Sequence, residues 1–188
     1  HANEGSDSVV SAVNYALSAN VENLHLLGSA ISATGNELAN DLYGNGNDNV
    51  LDGGAGIDRM DGWRGNDTYI VDNAADSVSE YLNEGIDTVE SSVTYTLTAN
   101  VENLVLTGAA AIAGSGNSLN NAITGNTADN ILSGGGGADT LRGGAGNDSL
   151  LGGLGGDTYV YNPGDGNDLI VEIDSAADPM LAWVESLQ

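Results

Sequence analysis

Residues 134–160 read GGGGADTLR, GGAGNDSLL, GGLGGDTYV: three nine-residue units laid end to end. Each opens on paired glycines. Each places an aspartate sixth (Asp139, Asp148, Asp157) and a bulky apolar residue eighth (Leu141, Leu150, Tyr159). Outward from this stretch, GGAGIDRMD at 53–61 repeats the unit, and Asp58, Asp67 and Asp76 keep the spacing of nine. Across the chain, nine aspartates follow a glycine by two residues and precede a bulky apolar residue by two. They are Asp7, Asp48, Asp58, Asp67, Asp87, Asp139, Asp148, Asp157 and Asp168, with Val9, Val50, Met60, Tyr69, Val89, Leu141, Leu150, Tyr159 and Ile170 as partners. One carboxylate and one inward-pointing aliphatic per nine residues suits a coil of short strands and tight turns.

The four units at 53–61, 134–142, 143–151 and 152–160 resemble the nonapeptide G-G-x-G-x-D-x-U-x of the RTX (hemolysin-type) calcium-binding proteins. Strict matches cover about a third of the chain. The resemblance implies an all-β fold, a right-handed parallel β-roll or β-helix solenoid with calcium ions between stacked turns. It also implies two nonapeptides per full turn.

A longer repeat encloses the short one. Residues 3–28, NEGSDSVVSAVNYALSANVENLHLLG, recur as NEGIDTVESSVTYTLTANVENLVLTG at 83–108, with 17 of 26 positions identical. The match continues from 35–60 to 116–141 after one inserted residue. Two units follow from this. The first spans 1–82, β-helix strands and then a β-roll at about 44–71; the second spans 83–173, with its β-roll at about 125–171. Alternating segments such as Val93, Tyr95, Leu97 read as short strands, punctuated by Gly, Asn and Asp clusters. Residues 174–188 break the pattern. Asp178-Pro179 suits a helix start, and VESLQ alternatively reads as a strand; either serves as a cap. The first residues already lie inside a repeat, so the chain reads as part of a longer protein. Asn20–Asn23 and Asn100–Asn103 read as a stacked asparagine ladder, because asparagine tolerates turn backbone and bonds to it.

Composition narrows the function. The chain has 188 residues, 27 acidic residues, three arginines and no lysine, for a formal charge of −24. That charge repels nucleic acid and anionic membranes, and it opposes compaction unless cations neutralise it. Composition alone also fits a disordered linker, but the hydrophobic residues, 40% of the chain, fall at fixed offsets. Cysteine is absent, which removes disulfides and thiolate sites. Zinc would seek His or Cys, and only His1 and His25 exist. No membrane span is visible in the sequence, and no set of residues suggests catalysis.

Calcium takes six to eight oxygens at roughly 2.3–2.6 Å. One glycine-rich loop offers too few, and two stacked loops complete a shell. Carried onto this chain, the RTX resemblance pairs Asp48 with Asp67, Asp58 with Asp76, Asp67 with Asp87, Asp129 with Asp148, Asp139 with Asp157 and Asp148 with Asp168. About six ions are implied, with a range of about five to eight. Backbone carbonyls would come from Gly44, Gly46, Gly53, Gly54, Ala55, Gly56, Gly62 and Gly65 in the first roll. In the second they would come from Gly134, Gly135, Gly136, Gly137, Gly143, Gly144, Ala145, Gly146, Gly152, Gly153, Gly155, Gly164 and Gly166. Asp76 and Asp129 depart from the pattern, with Ala74 and Thr127 where glycine is expected. Asn40 and Asn121 stand where further aspartates would be, as members of weaker end sites. Asp165, outside the register, is expected to be dispensable. The alternative is a calcium-free β-helix. Its stacked carboxylates would repel by about 3 kcal/mol per pair ~5 Å apart at an effective dielectric of ~20.

The expected function is a calcium-binding structural module of a secreted, extracellular or surface-bound bacterial RTX-like protein. Such a module is not itself an enzyme and folds once exported through a one-step channel. The competing reading is a polysaccharide- or surface-binding module of an adhesin or secreted enzyme. Tyr69, Tyr159, Trp63 and Trp183 are its candidate sugar-facing residues.

Overall fold

The computed structural model describes residues 5–173 and 182–186. The chain divides into two compact units, His1–Glu90 and Ser91–Gln188. All regular structure among the described residues is β, as the alternating pattern requires.

The first unit contains β1 (Ser8–Ser11), β2 (Tyr15–Ala16), β3 (Asn23–Leu26), β4 (Ser32–Thr34), β5 (Asp41–Asn45), β6 (Val50–Asp52), β7 (Arg59–Trp63), β8 (Thr68–Val71) and β9 (Ser77–Ser79). Strand β10 (Thr88–Ser91) runs through the junction. Odd strands pair in parallel in the order β1-β3-β5-β7-β9, and even strands β2-β4-β6-β8 form the facing sheet. Leu42 pairs with Met60 and Leu51 with Tyr69, so one full turn is 18 residues, or two nonapeptides. The eighth residue of each nonapeptide therefore stacks on its counterpart. Leu24, Leu42, Met60 and Val78 form one column, each at most 3% exposed. Ala33, Leu51 and Tyr69 form the other, fully buried. Each large aliphatic buried in this way stabilises by about 1.5–3 kcal/mol.

The second unit contains β11 (Tyr95–Thr96), β12 (Asn103–Leu106), β13 (Ala113–Ser115), β14 (Ala122–Thr124), β15 (Ile131–Gly136), β16 (Thr140–Arg142), β17 (Ser149–Leu154), β18 (Thr158–Tyr159), β19 (Leu169–Ile173) and β20 (Ala182–Ser186). Its parallel ladders are β12-β14-β16-β18 and β11-β13-β15-β17-β19. Leu104, Ile123 and Leu141 stack in one column, and Leu132, Leu150 and Ile170 in the other. Each unit is thus a parallel β-solenoid whose core lies between two narrow sheets. Strand β20 pairs antiparallel with β19, so 182–186 is extended rather than helical. Asp178 and Pro179 lie outside the described residues.

Candidate metal centre

The sixth residue of each nonapeptide immediately precedes a strand. Its backbone N–H points along the ladder toward the following turn, where the next sixth side chain receives it. Asp58 N–H donates to Asp76 Oδ1 (3.0 Å) and Asp67 N–H to Asp87 Oδ1 (2.8 Å). Asp139 N–H donates to Asp157 Oδ1 (2.9 Å) and Asp148 N–H to Asp168 Oδ1 (3.0 Å). Four of the six expected pairs are therefore stacked neighbours.

The second oxygen of these carboxylates has a different fate. Oδ2 of Asp58, Asp67, Asp139, Asp148 and Asp157 is buried and has no hydrogen-bond partner. Each folds back over the first residue of its own loop, Gly53, Gly62, Gly134, Gly143 and Gly152. A Cβ there would collide with the carboxylate. That close approach explains why the first position is glycine.

Burial is the main force on these groups. It pushes Asp58 and Asp148 up to about 6, from an ordinary 3.8. It pushes Asp67 up to about 7 and also raises Asp139. Backbone N–H donors oppose the rise, and like charge adds to it. The leading like charge is Asp76 for Asp58, Asp87 for Asp67, Asp157 for Asp139 and Asp168 for Asp148. These are the partners one turn on, so the stacked carboxylates repel one another in a poorly solvated row.

Asp48 and Asp129 lie near enough to Asp67 and Asp148 for their like charge to act on them, but they are placed differently from the other four pairs. Asp48 and Asp129 do not occupy the sixth position; Asn49 and Asn130 do, each 1% exposed. The inward residues are accordingly Leu51 and Leu132, and Val50 is 40% exposed. The carboxylates of Asp48 and Asp129 are exposed and accept the N–H of Asn66 and Asn147 (2.7 and 2.8 Å). At Asp48 the glycine two residues before it, Gly46, misled the register, and at Asp129 a near-match to the nine-residue spacing did; the 18-residue pairing of Leu51 with Tyr69 and Leu132 with Leu150 settles both. Asp165, outside the register, is buried and accepts the N–H of Asn162 (2.7 Å), as Asp76 accepts that of Asn73 (3.1 Å).

The asparagine ladder exists, but not at the expected residues. Asn20 and Asn100 are turn residues with φ of 65° and 64°. The buried ladder comprises Asn40, Asn49, Asn121 and Asn130. Each amide oxygen accepts the N–H of the second residue in its own loop: Asn36, Asn45, Asn117 and Asn126 (2.7–2.8 Å). Each amide nitrogen donates to carbonyls of the preceding turn, such as Val21 and Glu22 for Asn40. In the aspartate loops the second residue is left-handed: Gly54, Gly135, Gly144 and Gly153 at φ 73–104°, and Trp63 at 71°. No N–H reaches Oδ2 there.

Of the aromatic candidates, Tyr69 is fully buried and carries no exposed face. Trp63 is 57% exposed beside the stacked rings of His25 and Tyr43, whose centroids are 4.4 Å apart. The side chain of Trp183 lies outside the described residues. Sequence reasoning missed Glu80, which receives a hydrogen bond from the Tyr69 hydroxyl inside the first unit. The recurring D-T-Y of 67–69 and 157–159 was the available signal.

The donor set is all oxygen, anionic and buried, with bare carboxylate oxygens over glycine-lined loops. That suits a hard cation with flexible coordination, which calcium is. Among the described residues no helix is long and apolar enough to cross a membrane.

Residues 34–77 and 124–159 match the family model of the RTX calcium-binding nonapeptide repeat. These are RTX nonapeptide repeats. The matched ranges enclose the Asp58–Asp76 and Asp139–Asp157 ladders, together with the asparagine turns at 35–40, 44–49 and 125–130. The RTX-bearing chain is also similar to the endo-1,3-1,4-beta-glycanase ExsH of Rhizobium meliloti (strain 1021), 38% identical over 93 residues. It is similar to the endo-1,3-1,4-beta-glycanase EglC of the same organism, 38% identical over 84 residues. The matches cover 49% and 44% of this chain, but only 19% and 18% of the two glycanases. RTX repeats are calcium-binding structural elements, and here they build the β-solenoid.

Proposed function

We propose that this chain is a calcium-dependent folding module of a secreted bacterial protein and is not itself catalytic. The observation that carries this reading is the buried row of aspartates with bare Oδ2 atoms. Leaving a buried carboxylate oxygen without a partner costs free energy, and the row recurs in both units. Calcium would be held by Asp58 with Asp76, Asp67 with Asp87, Asp139 with Asp157 and Asp148 with Asp168, helped by loop carbonyls. The exposed Asp48 and Asp129 would contribute at the edges. Six divalent ions would bring the charge from −24 to about −12. Where calcium is scarce the acidic chain repels itself and stays open for export. Outside the cell, calcium closes it.

Circular dichroism of the full chain in chelator and in several millimolar CaCl₂ tests this. The expected result is little β structure in chelator and a β spectrum in calcium, with magnesium failing to substitute because it keeps its waters. An unchanged β spectrum in chelator overturns the reading.

A second reading has one supporting observation. The exposed Trp63 and the stacked His25 and Tyr43 line one shallow groove, and the two relatives are glycanases. We infer that, within a longer secreted protein, this face would contact polysaccharide as an accessory surface. Retention of the full chain on a β-1,3-1,4-glucan matrix in calcium, lost in Trp63→Ala, is the expected result. Equal elution of both proteins ends this reading.

A further inference from the structure

We propose that Glu80 joins Asp67 and Asp87 in a three-carboxylate calcium site in the first unit, distinct in make from the two-carboxylate sites between nonapeptides. This rests on the calcium reading above. Carboxylate oxygens of the three residues all lie within 4.8 Å of one another. The residues are 1%, 7% and 1% exposed for Asp67, Glu80 and Asp87. Glu80 belongs to no nonapeptide; it arrives from the segment after β9.

A buried acidic cluster alone would not assign a ligand. The second observation is the Oδ2 of Asp67, buried without a hydrogen-bond partner. It lies over Gly62 together with the Tyr69 hydroxyl. That hydroxyl accepts the Gly62 N–H (2.8 Å) and donates to Glu80. Tyr69 thereby fixes Glu80 beside the bare oxygen and leaves the carboxylates facing one another. The arrangement is partly repeated in the second unit. There Asp157 Oδ2 and the Tyr159 hydroxyl share the space over Gly152, and burial together with the nearby Glu172 raises the Tyr159 hydroxyl above its ordinary value. Among the described residues, only the first unit brings three carboxylates together this closely.

Affinity in oxygen-ligand sites follows ligand charge. The site should fill first, with a dissociation constant about tenfold below the rest. The full chain is titrated calorimetrically with CaCl₂, and in parallel with Tb³⁺ under tyrosine excitation. The expected result is one tight equivalent ahead of the others, with sensitised terbium emission that Tyr69→Phe largely abolishes. Glu80→Gln should lose that equivalent and keep the weaker class. Glu80→Asp, which keeps the charge but shortens the reach, should weaken it by about tenfold. It decides the matter if Glu80→Gln fails to fold in saturating calcium. Wild-type chain that binds no calcium sinks the module reading and this site together. Wild-type chain that binds, with a first equivalent unchanged in Glu80→Asp or in a folded Glu80→Gln, overturns this inference alone.

Discussion

Each unit holds two kinds of turn on one backbone plan. The asparagine turns are GNELAN at 35–40, GNGNDN at 44–49, GNSLNN at 116–121 and GNTADN at 125–130. The aspartate turns follow, from 53 and from 134. In both, the sixth side chain folds over the first glycine. The amide of asparagine is donor and acceptor at once, so it bonds to its own loop and to the turn before. A second asparagine helps: Asn36 donates to the carbonyls of Ser18 and Val21, and Asn117 to those of Thr98 and Val101. A carboxylate only accepts. With the second residue left-handed, one of its oxygens meets no N–H. The asparagine turns therefore close on themselves, and the aspartate turns leave one oxygen that the proposed cation would satisfy. Asn40 and Asn121 complete hydrogen-bond networks in the positions where weaker end sites were expected.

The largest effect that tests this contrast is ion removal. In chelator, amide hydrogens of 134–171 should exchange within the dead time, and those of 113–126 should keep measurable protection. Uniform loss across both segments would show that the asparagine turns have no stability of their own. Asp148→Ala comes next. It deprives the Asn130 N–H of its acceptor (2.7 Å) and removes a carboxylate facing Asp168. A loss of about 2–4 kcal/mol in calcium-saturated urea melts is expected, with fewer ions bound. Asn121→Ala removes bonds to Asn117, Val101 and Glu102. It should cost about 1–3 kcal/mol while the calorimetric ion count stays at the wild-type value; a lost ion would return Asn121 to the ligand set.

Acidity provides a finer test. The carboxyls of Asp58, Asp67 and Asp148 sit at about 6, 7 and 6 in the ion-free fold, above their ordinary 3.8. The folded chain then holds these protons more tightly than the unfolded chain. Their contribution favours the ion-free fold at low pH and is lost as pH rises from about 4 to about 7. Protons also compete with calcium, so the calcium midpoint should rise as pH falls from about 7 to about 5. A midpoint independent of pH across that window would contradict the buried, repelling row. The smallest effect should be Asp48→Ala or Asp129→Ala. These exposed carboxylates each accept one N–H, and the expected loss is within about 0.5–1 kcal/mol.

Much of the fold was legible because the apolar spacing is strict. With a bulky residue every nine positions, Leu141 and Leu150 had to face the core from opposite sheets. The aspartate register was legible wherever both glycines accompany it, as at Asp58, Asp139 and Asp148. It failed at Asp48, after Gly46, and at Asp129, after Thr127, because such spacing is a local cue and the strand pairing that places Leu51 and Leu132 inward is not. Glu80 was invisible for the same reason. The recurring D-T-Y of 67–69 and 157–159 points to Tyr69 but not to Glu80; the fold brings Glu80 to Asp67 by way of the Tyr69 hydroxyl.

By itself the sequence determined the nine-residue period and the anionic, oxygen-only chemistry of the loops; the 18-residue turn was implied by the RTX resemblance and is seen in the strand pairing. The period and the loop chemistry follow from local backbone freedom and from which side chains must leave water. Only the tertiary structure decided which oxygen of each aspartate is used and which is bare. That depends on whether a neighbouring N–H faces it, and whether the loop's second residue is left-handed, as at Gly54 and Gly144 but not at Asn36 and Asn126, sets this only once the turns are stacked.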